Sequence, residues 1–176
     1  MTYLMKLPSP VGLLHLASDD EHIVGLWIEG QKYFAATIKE ETVEQPDRPE
    51  FQQAKAWLEA YFAKQPLPAL PPLAPRGSDF RQAVWQQLLT IPYGKTVTYG
   101  DIAKTLKANG IAAAAQAVGG AVGHNPISIL IPCHRVVGST GSLTGYAGGV
   151  QIKKQLLELE ETDMTGMFVP TKGTAL

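Results

Sequence analysis

The chain contains a single cysteine, Cys133, followed directly by a histidine in the run Pro132-Cys133-His134-Arg135. A thiol is a useful nucleophile only as the thiolate, and a nearby imidazole is the usual means of forming one near neutral pH. Side chains adjacent in sequence need not face each other, so a turn or a bridging water has to connect these two. Taken alone, the pair fits equally a small buried hydrophobe beside a surface histidine, because free cysteines are commonly buried and inert. The preceding stretch, Ile127-Ser128-Ile129-Leu130-Ile131, is β-branched and too short for an ordinary helix. It predicts a buried strand that Pro132 stops by removing a ladder donor, leaving Cys133 where the backbone leaves the core for a cleft.

The rest of the chain must supply elements that hold this turn. Its 176 residues, 45% of them hydrophobic, suffice for one domain or two small ones. One cysteine excludes an intrachain disulfide and a cysteine-rich structural zinc site, and a reducing, cytoplasmic setting is expected. No apolar run is long enough to span a bilayer, and Met1–Lys6 lacks the basic-then-apolar order of a signal peptide. The formal net charge is −1, unevenly divided: residues 1–75 carry six Lys/Arg against ten Asp/Glu, and residues 76–176 nine against six. Only the second half suits a polyanion.

Tyr3–Leu7, Leu13–Ala17 and Ile23–Ile28, separated by Pro/Gly and acidic turns, predict a β-meander, and Phe51, Ala54, Trp57, Leu58 and Tyr61 recur at helical spacing as core of a helix lying on it. Five prolines between 65 and 77 make a stiff connection and a natural boundary, giving domains 1–75 and 76–165 with a loosely ordered tail, 166–176. After it, Ser78 or Asp79 caps a helix with Phe80, Val84, Trp85, Leu88 and Leu89 on its apolar face. Thr98 caps a second, with Asp101 in its first turn and Ile102, Ala103 and Leu106 inward. A third helical stretch, Ala112 to about Val122, is almost entirely Ala, Gly, Val and Gln. Helix, turn, helix is a nucleic-acid-docking arrangement, though paired helices are common. His15, His22 and His124 have no metal-ligand spacing, and no metal or other cofactor is expected.

The motif Asn125-Pro126, the apolar run, Pro132-Cys133-His134-Arg135-Val136-Val137-Gly138 and Leu143-Thr144-Gly145-Tyr146-Ala147-Gly148-Gly149 together resemble the O6-alkylguanine-DNA alkyltransferases, closely from about Phe80 to Glu160. The resemblance implies an α+β fold of two domains: a small N-terminal antiparallel sheet with a helix, ribonuclease H-like, and a C-terminal winged-helix or helix-turn-helix domain that binds DNA and accepts the alkyl group. It implies direct, single-turnover transfer from O6-alkylguanine, and from O4-alkylthymine, to Cys133 after the nucleotide is turned out of the duplex. Its partner is then double-stranded DNA carrying the lesion, with no membrane and a monomeric protein.

By the same resemblance His134 matches the base that draws the thiol proton through a water, and Glu160 the carboxylate that orients it. On its own Glu160 would be one of a solvated run with Glu158 and Glu161. Asn125 matches a residue supporting the turn before the nucleophile, Tyr99 the one pressing on the phosphate to rotate the nucleotide, and Tyr146 a donor to the guanine. Lys153 matches a pocket-edge position, and Gly148-Gly149 a loop closing over the base. Gly119 and Gly120 lie on the helix that enters the minor groove, where their cost of roughly 1 kcal/mol each relative to Ala is offset by close docking; Arg135 is grouped with these DNA- or substrate-facing residues. Two departures stand out. Gln116 occupies the position of an arginine that fills the gap left by the flipped base, and Ala147 follows Tyr146 where the family has a small or hydroxyl residue. The alternatives are a non-catalytic lesion-recognition protein, which in related proteins lacks the cysteine, and a cysteine hydrolase using Cys133 and His134.

Overall fold

A computed structural model describes residues 1–171. The chain forms two compact units: Met1–Arg76 with Pro126–Leu130, and Gly77–Asn125 with the chain from Ile131 onward.

In the first unit β1 (Thr2–Ser9), β2 (Gly12–Ser18) and β3 (Ile23–Ile28) form the antiparallel meander expected from the turn residues. A short β4 (Thr42–Glu44), not foreseen, pairs parallel to β1, so the sheet order is β3-β2-β1-β4. The helix α1 (Pro49–Phe62) buries Phe51, Ala54, Trp57, Leu58 and Tyr61, the stripe read at helical spacing. Every residue of β3 is buried although it ends the sheet. Its outer edge is covered twice. Ile23 exchanges main-chain bonds with Pro72 and Ala74 of the proline-rich segment (2.8 and 2.9 Å), and Leu26 with Pro126 and Ser128 (2.9 and 3.0 Å). An unpaired edge is a template for aggregation, and these segments remove it.

The predicted strand 127–131 is therefore corrected. Only Ile127 makes a bridge, to Leu26; the chain then reverses, with Leu130 N–H donating to Ser128 O (2.8 Å) around Ile129 at φ 69°. Burial of Ile127, Ile129, Leu130 and Ile131 explains the apolar run without extended pairing. A β-branched residue in the left-handed region is rare, and no residue-type pattern announces it.

The second unit contains α2 (Asp79–Leu88), β5 (Val97–Thr98), α3 (Tyr99–Ala108), α4 (Ala115–Gly123), a 3-10 turn (Cys133–Arg135), β6 (Val136–Val137) parallel to β5, and α5 (Val150–Leu159). Ser78 caps α2 by accepting from Arg81 N–H (3.3 Å). Thr98 and Asp101 form a full capping box on α3: Asp101 N–H to Thr98 Oγ1 at 3.0 Å and Thr98 N–H to Asp101 Oδ2 at 2.9 Å. The third helix begins at Ala115 rather than Ala112, because the chain is still extended at Ala114, which offers no side-chain cap. Its Val118, Ala121 and Val122 pack inward, and Trp85 of α2 donates from Nε1 to Ala121 O (2.9 Å). Gln116, Ala115, Ala117 and Gly120 remain exposed. Within the stretch expected as a loosely ordered tail, 166–176, Phe168 forms a parallel bridge to Ser142; residues 172–176 lie outside the described residues. Among the described residues no helix is long and apolar enough to cross a membrane.

The capping box sets where α3 starts and so where Tyr99 stands. Thr98→Ala is expected to cost about 1 kcal/mol, seen as a lower urea midpoint, with Thr98→Ser close to the parent.

Candidate active site

Cys133 opens the 3-10 turn and is 4% exposed. It reaches this place by two tight steps. Pro132 (φ −80°, ψ 64°) carries an inverse γ-turn in which Cys133 N–H donates to Ile131 O (2.8 Å), and Asn125 Nδ2 donates to the same carbonyl (2.9 Å). Asn125 thus ties the end of α4 to the entry of the nucleophile turn, and its side chain also hydrogen-bonds Cys133. Burial pushes the thiol up, while the Asn125 bond and the Lys153 charge oppose that shift.

Glu160 occupies the C-cap of α5 and is 2% exposed. Its two oxygens accept from four groups: His134 Nε2 at 2.6 Å, Arg135 Nε at 2.8 Å, Arg135 Nη2 at 3.1 Å and Gly94 N–H at 3.1 Å. Burial alone would raise its pKa; the bonds and charges of His134 and Arg135 outweigh burial and hold it at about 2. A carboxylate so held can only accept, so the neutral His134 carries its proton on Nε2 and Nδ1 is the basic nitrogen. His134 Nδ1 is buried and takes no protein hydrogen bond among the described residues. Burial lowers the His134 pKa, against the pull of Glu160. The resting pair is thiol and neutral imidazole, and a proton moved from Cys133 to Nδ1 creates a thiolate and an imidazolium that Glu160 is already placed to stabilise.

Arg135 was grouped at the DNA. Its guanidinium lies inside instead, bidentate on Glu160 and donating from Nη1 to Ile91 O (2.7 Å), with 7% of the residue exposed. A buried carboxylate needs a compensating charge, and Arg135 supplies it. Lys153, read as a pocket-edge residue, is fully buried; its Nζ donates to Val136 O and to Thr144 O (2.7 Å for the latter). Burial brings its pKa down to about 8.

Thr144 O also accepts from Tyr99 Oη (2.7 Å), which fastens the 143–149 loop to the start of α3. Burial raises the Tyr99 pKa, so its hydroxyl keeps its proton as a donor. Gly145 (φ 82°) is required here: a Cβ would fall 2.4 Å from Tyr99 Oη. Tyr146 is 7% exposed; Ala147 and Gly148 are half-buried, and Gly149 starts α5 with its N–H on Tyr146 O (3.0 Å). The structure thus brings Cys133, His134, Glu160, Asn125, Lys153, Tyr99 and the Tyr146 loop into one unit, with Gln116, Gly119 and Gly120 on α4. Sequence reading missed the Gly94 N–H and the main-chain carbonyl of Thr144, which carry no residue-type signal; Gly145 was visible only as part of a glycine-rich loop. Among the described residues no group of three or more His, Cys, Asp and Glu side chains is placed to hold a metal.

A buried cysteine followed directly by a histidine that is hydrogen-bonded to a buried carboxylate, in a unit that also presents two helices joined by a short turn, is the residue set of a nucleophilic-cysteine protein on a helix-turn-helix scaffold. Residues 2–75 match the family model for the 6-O-methylguanine DNA methyltransferase ribonuclease-like domain, and residues 79–162 the model for its DNA binding domain. Curated relatives named methylated-DNA--protein-cysteine methyltransferase include one from Mycobacterium bovis, 45% identical over 92% of this chain and 94% of that protein. Another, from Methanosarcina acetivorans, is 43% identical over 90% and 97%. The crystal structure of Mycobacterium tuberculosis OGT in complex with DNA covers 90% of this chain and 92% of its own, at 43% identity and a TM-score of 0.80. The chain belongs to the 6-O-methylguanine DNA methyltransferase family.

The depressed Glu160 pKa ties stability to acid. Its contribution is complete above its unfolded value, near 4.5, and is lost as pH falls toward about 2. Urea titrations at pH 7 and pH 3 should show that loss, up to about 3 kcal/mol for the full shift, and Glu160→Gln should flatten it while lowering stability at pH 7.

Proposed function

We propose that this chain repairs DNA by taking the alkyl group of O6-alkylguanine onto Cys133, once per molecule, with O4-alkylthymine as a second substrate. The observation that carries this reading is the His134–Glu160 bond of 2.6 Å behind a buried cysteine, in the unit that also presents α3 and α4. A base inside a duplex cannot offer its O6-alkyl carbon to a thiolate, so the nucleotide must leave the stack. The half-buried ring of Tyr99 at the start of α3, and α4 with no side chain larger than Gln116 on its exposed face, suit that step. The Mycobacterium tuberculosis relative was crystallised in complex with DNA, and the partner this reading assigns is double-stranded DNA carrying the lesion.

In the reaction the Cys133 proton passes through a bridging water to His134 Nδ1. The thiolate attacks the alkyl carbon; the Sγ–C bond forms as the C–O6 bond breaks, and its electron pair stays on guanine, which is stabilised by a hydrogen bond from Tyr146 and takes up a proton from water as His134 returns the proton it received from Cys133. The resulting thioether has no good leaving group, so the protein is consumed. Glu160 holds the imidazole ring and its tautomer, and Arg135 acts through Glu160 as a positioning residue. The thiol must stay reduced, which suits a cytoplasmic protein, and the protein acts as a monomer.

Incubated with a duplex bearing one O6-methylguanine, the protein is expected to gain the mass of a single methyl group, stoichiometric and mapped to Cys133. Cys133→Ala should bind the duplex and gain nothing. An unchanged mass of the parent with retained binding would overturn the reading in favour of lesion recognition.

Gln116 on the exposed face of α4 can hydrogen-bond the orphaned cytosine but brings no charge. Gln116→Arg should tighten binding to the lesion duplex by about 1 kcal/mol, roughly fivefold in Kd, with the gain shrinking as salt rises.

A further inference from the structure

After α5 the chain turns through Glu161 and Thr162, whose N–H donates to Leu157 O (3.1 Å), and comes back along residues 141–143. Phe168 N–H donates to Gly141 O (3.0 Å) and Leu143 N–H donates to Phe168 O (2.9 Å), with Ser142 and Phe168 forming a parallel bridge. Met164, Met167 and Val169 pack against Val137, Leu143 and Leu157. The approach is close enough to demand a glycine. Gly141 sits at φ 96°, and a Cβ there would fall 2.1 Å from Gly166 O.

The strand-like stretch held this way leads directly into the loop of the proposed site. Leu143 is fixed by Phe168 on its N–H, and the next carbonyl, Thr144 O, is fixed by Tyr99 and Lys153. Two residues further on is Tyr146. Nothing in Met164–Val169 is a nucleophile, a base or an acid that could take part in alkyl transfer, and the Phe168 side chain is 48% exposed. What this segment supplies is main-chain hydrogen bonds and an apolar pad under one end of the loop.

We propose that the C-terminal segment Met164–Val169 is a brace that positions the Tyr146 loop for the flipped base, with the Phe168 main chain as its positioning group. The proposal rests on the alkyltransferase reading, in which the 143–149 loop meets the guanine. The loop starts from a bonded end, so freeing that end misplaces Tyr146 and slows the chemical step. DNA docking, assigned to α3 and α4, is left alone.

The test uses the full chain. Phe168→Pro removes the N–H that donates to Gly141 O; Phe168→Ala keeps that bond and removes a half-exposed ring. Gly141→Ala attacks the same contact from the loop side. Single-turnover methyl transfer is measured against concentration of an O6-methylguanine duplex, together with Cys133 labelling by iodoacetamide and amide exchange of residues 143–149. Phe168→Pro and Gly141→Ala are expected to lose at least about tenfold in maximal transfer rate. Half-saturating DNA concentration and iodoacetamide labelling should stay near the parent values, with exchange faster in the loop. Phe168→Ala should behave as the parent. Parent-like transfer by Phe168→Pro, equal loss in Phe168→Ala, or a parallel fall in iodoacetamide labelling would overturn the brace. Absence of transfer in the parent itself would overturn the alkyltransferase reading and the brace with it.

Discussion

One buried carboxylate organises the second unit. Glu160, at the end of α5, gathers a main-chain N–H from the turn after α2 and two consecutive side chains of the nucleophile turn. Replacing a buried ion pair with apolar residues is often neutral or favourable, so stability alone does not account for it. Its distinctive effect is chemical. By accepting from Nε2, Glu160 fixes which His134 nitrogen is basic, and by pairing with Arg135 it keeps the site from carrying an uncompensated negative charge before the thiolate forms. Loss of Glu160 would leave the Arg135 charge and the His134 donor buried without their acceptor, a larger penalty than the pair's own contribution.

Lys153 is another buried charge of this unit and works differently. Among the described residues it has no carboxylate partner; its ammonium is held by the carbonyls of Val136 and Thr144, one just beyond the nucleophile turn and one in the 143–149 loop. A positive charge kept there favours a thiolate at Cys133, and burial makes that charge hard to keep, which is why its pKa falls to about 8. The site is thus electrostatically balanced around a proton that has not yet moved.

How legible was this in the residues? Elements with local signals were: the meander from its turn residues, α1 from a 3.6-residue stripe, α2 and α3 from Ser78, Thr98 and Asp101, whose side chains cap by contacts within three residues. Cys133 and His134 were legible as chemistry because few residue types can do it. Glu160 was not distinguishable from Glu158 and Glu161 without the family resemblance, since its role depends on groups 25 or more positions away. Arg135 was misplaced for the same reason: a basic residue in a DNA-binding half looks like a phosphate contact until its bidentate carboxylate is seen. The run 127–131 looked like a strand because burial and β-branching are shared by strands and by buried turns, and the left-handed Ile129 has no composition signal. The pairing of Phe168 with residues 141–143 was hidden because its bonds are main chain to main chain beside the Gly141–Gly166 approach.

The excursion of Pro126–Leu130 into the first unit bears on modularity. Between α4 and Cys133 the chain leaves the second unit, lends its main chain to the edge of β3, and returns. No single cut in the gene therefore separates the two units. An isolated second half would carry a stretch rich in isoleucine and leucine with its main-chain partners gone, a sticky insertion two residues ahead of the nucleophile.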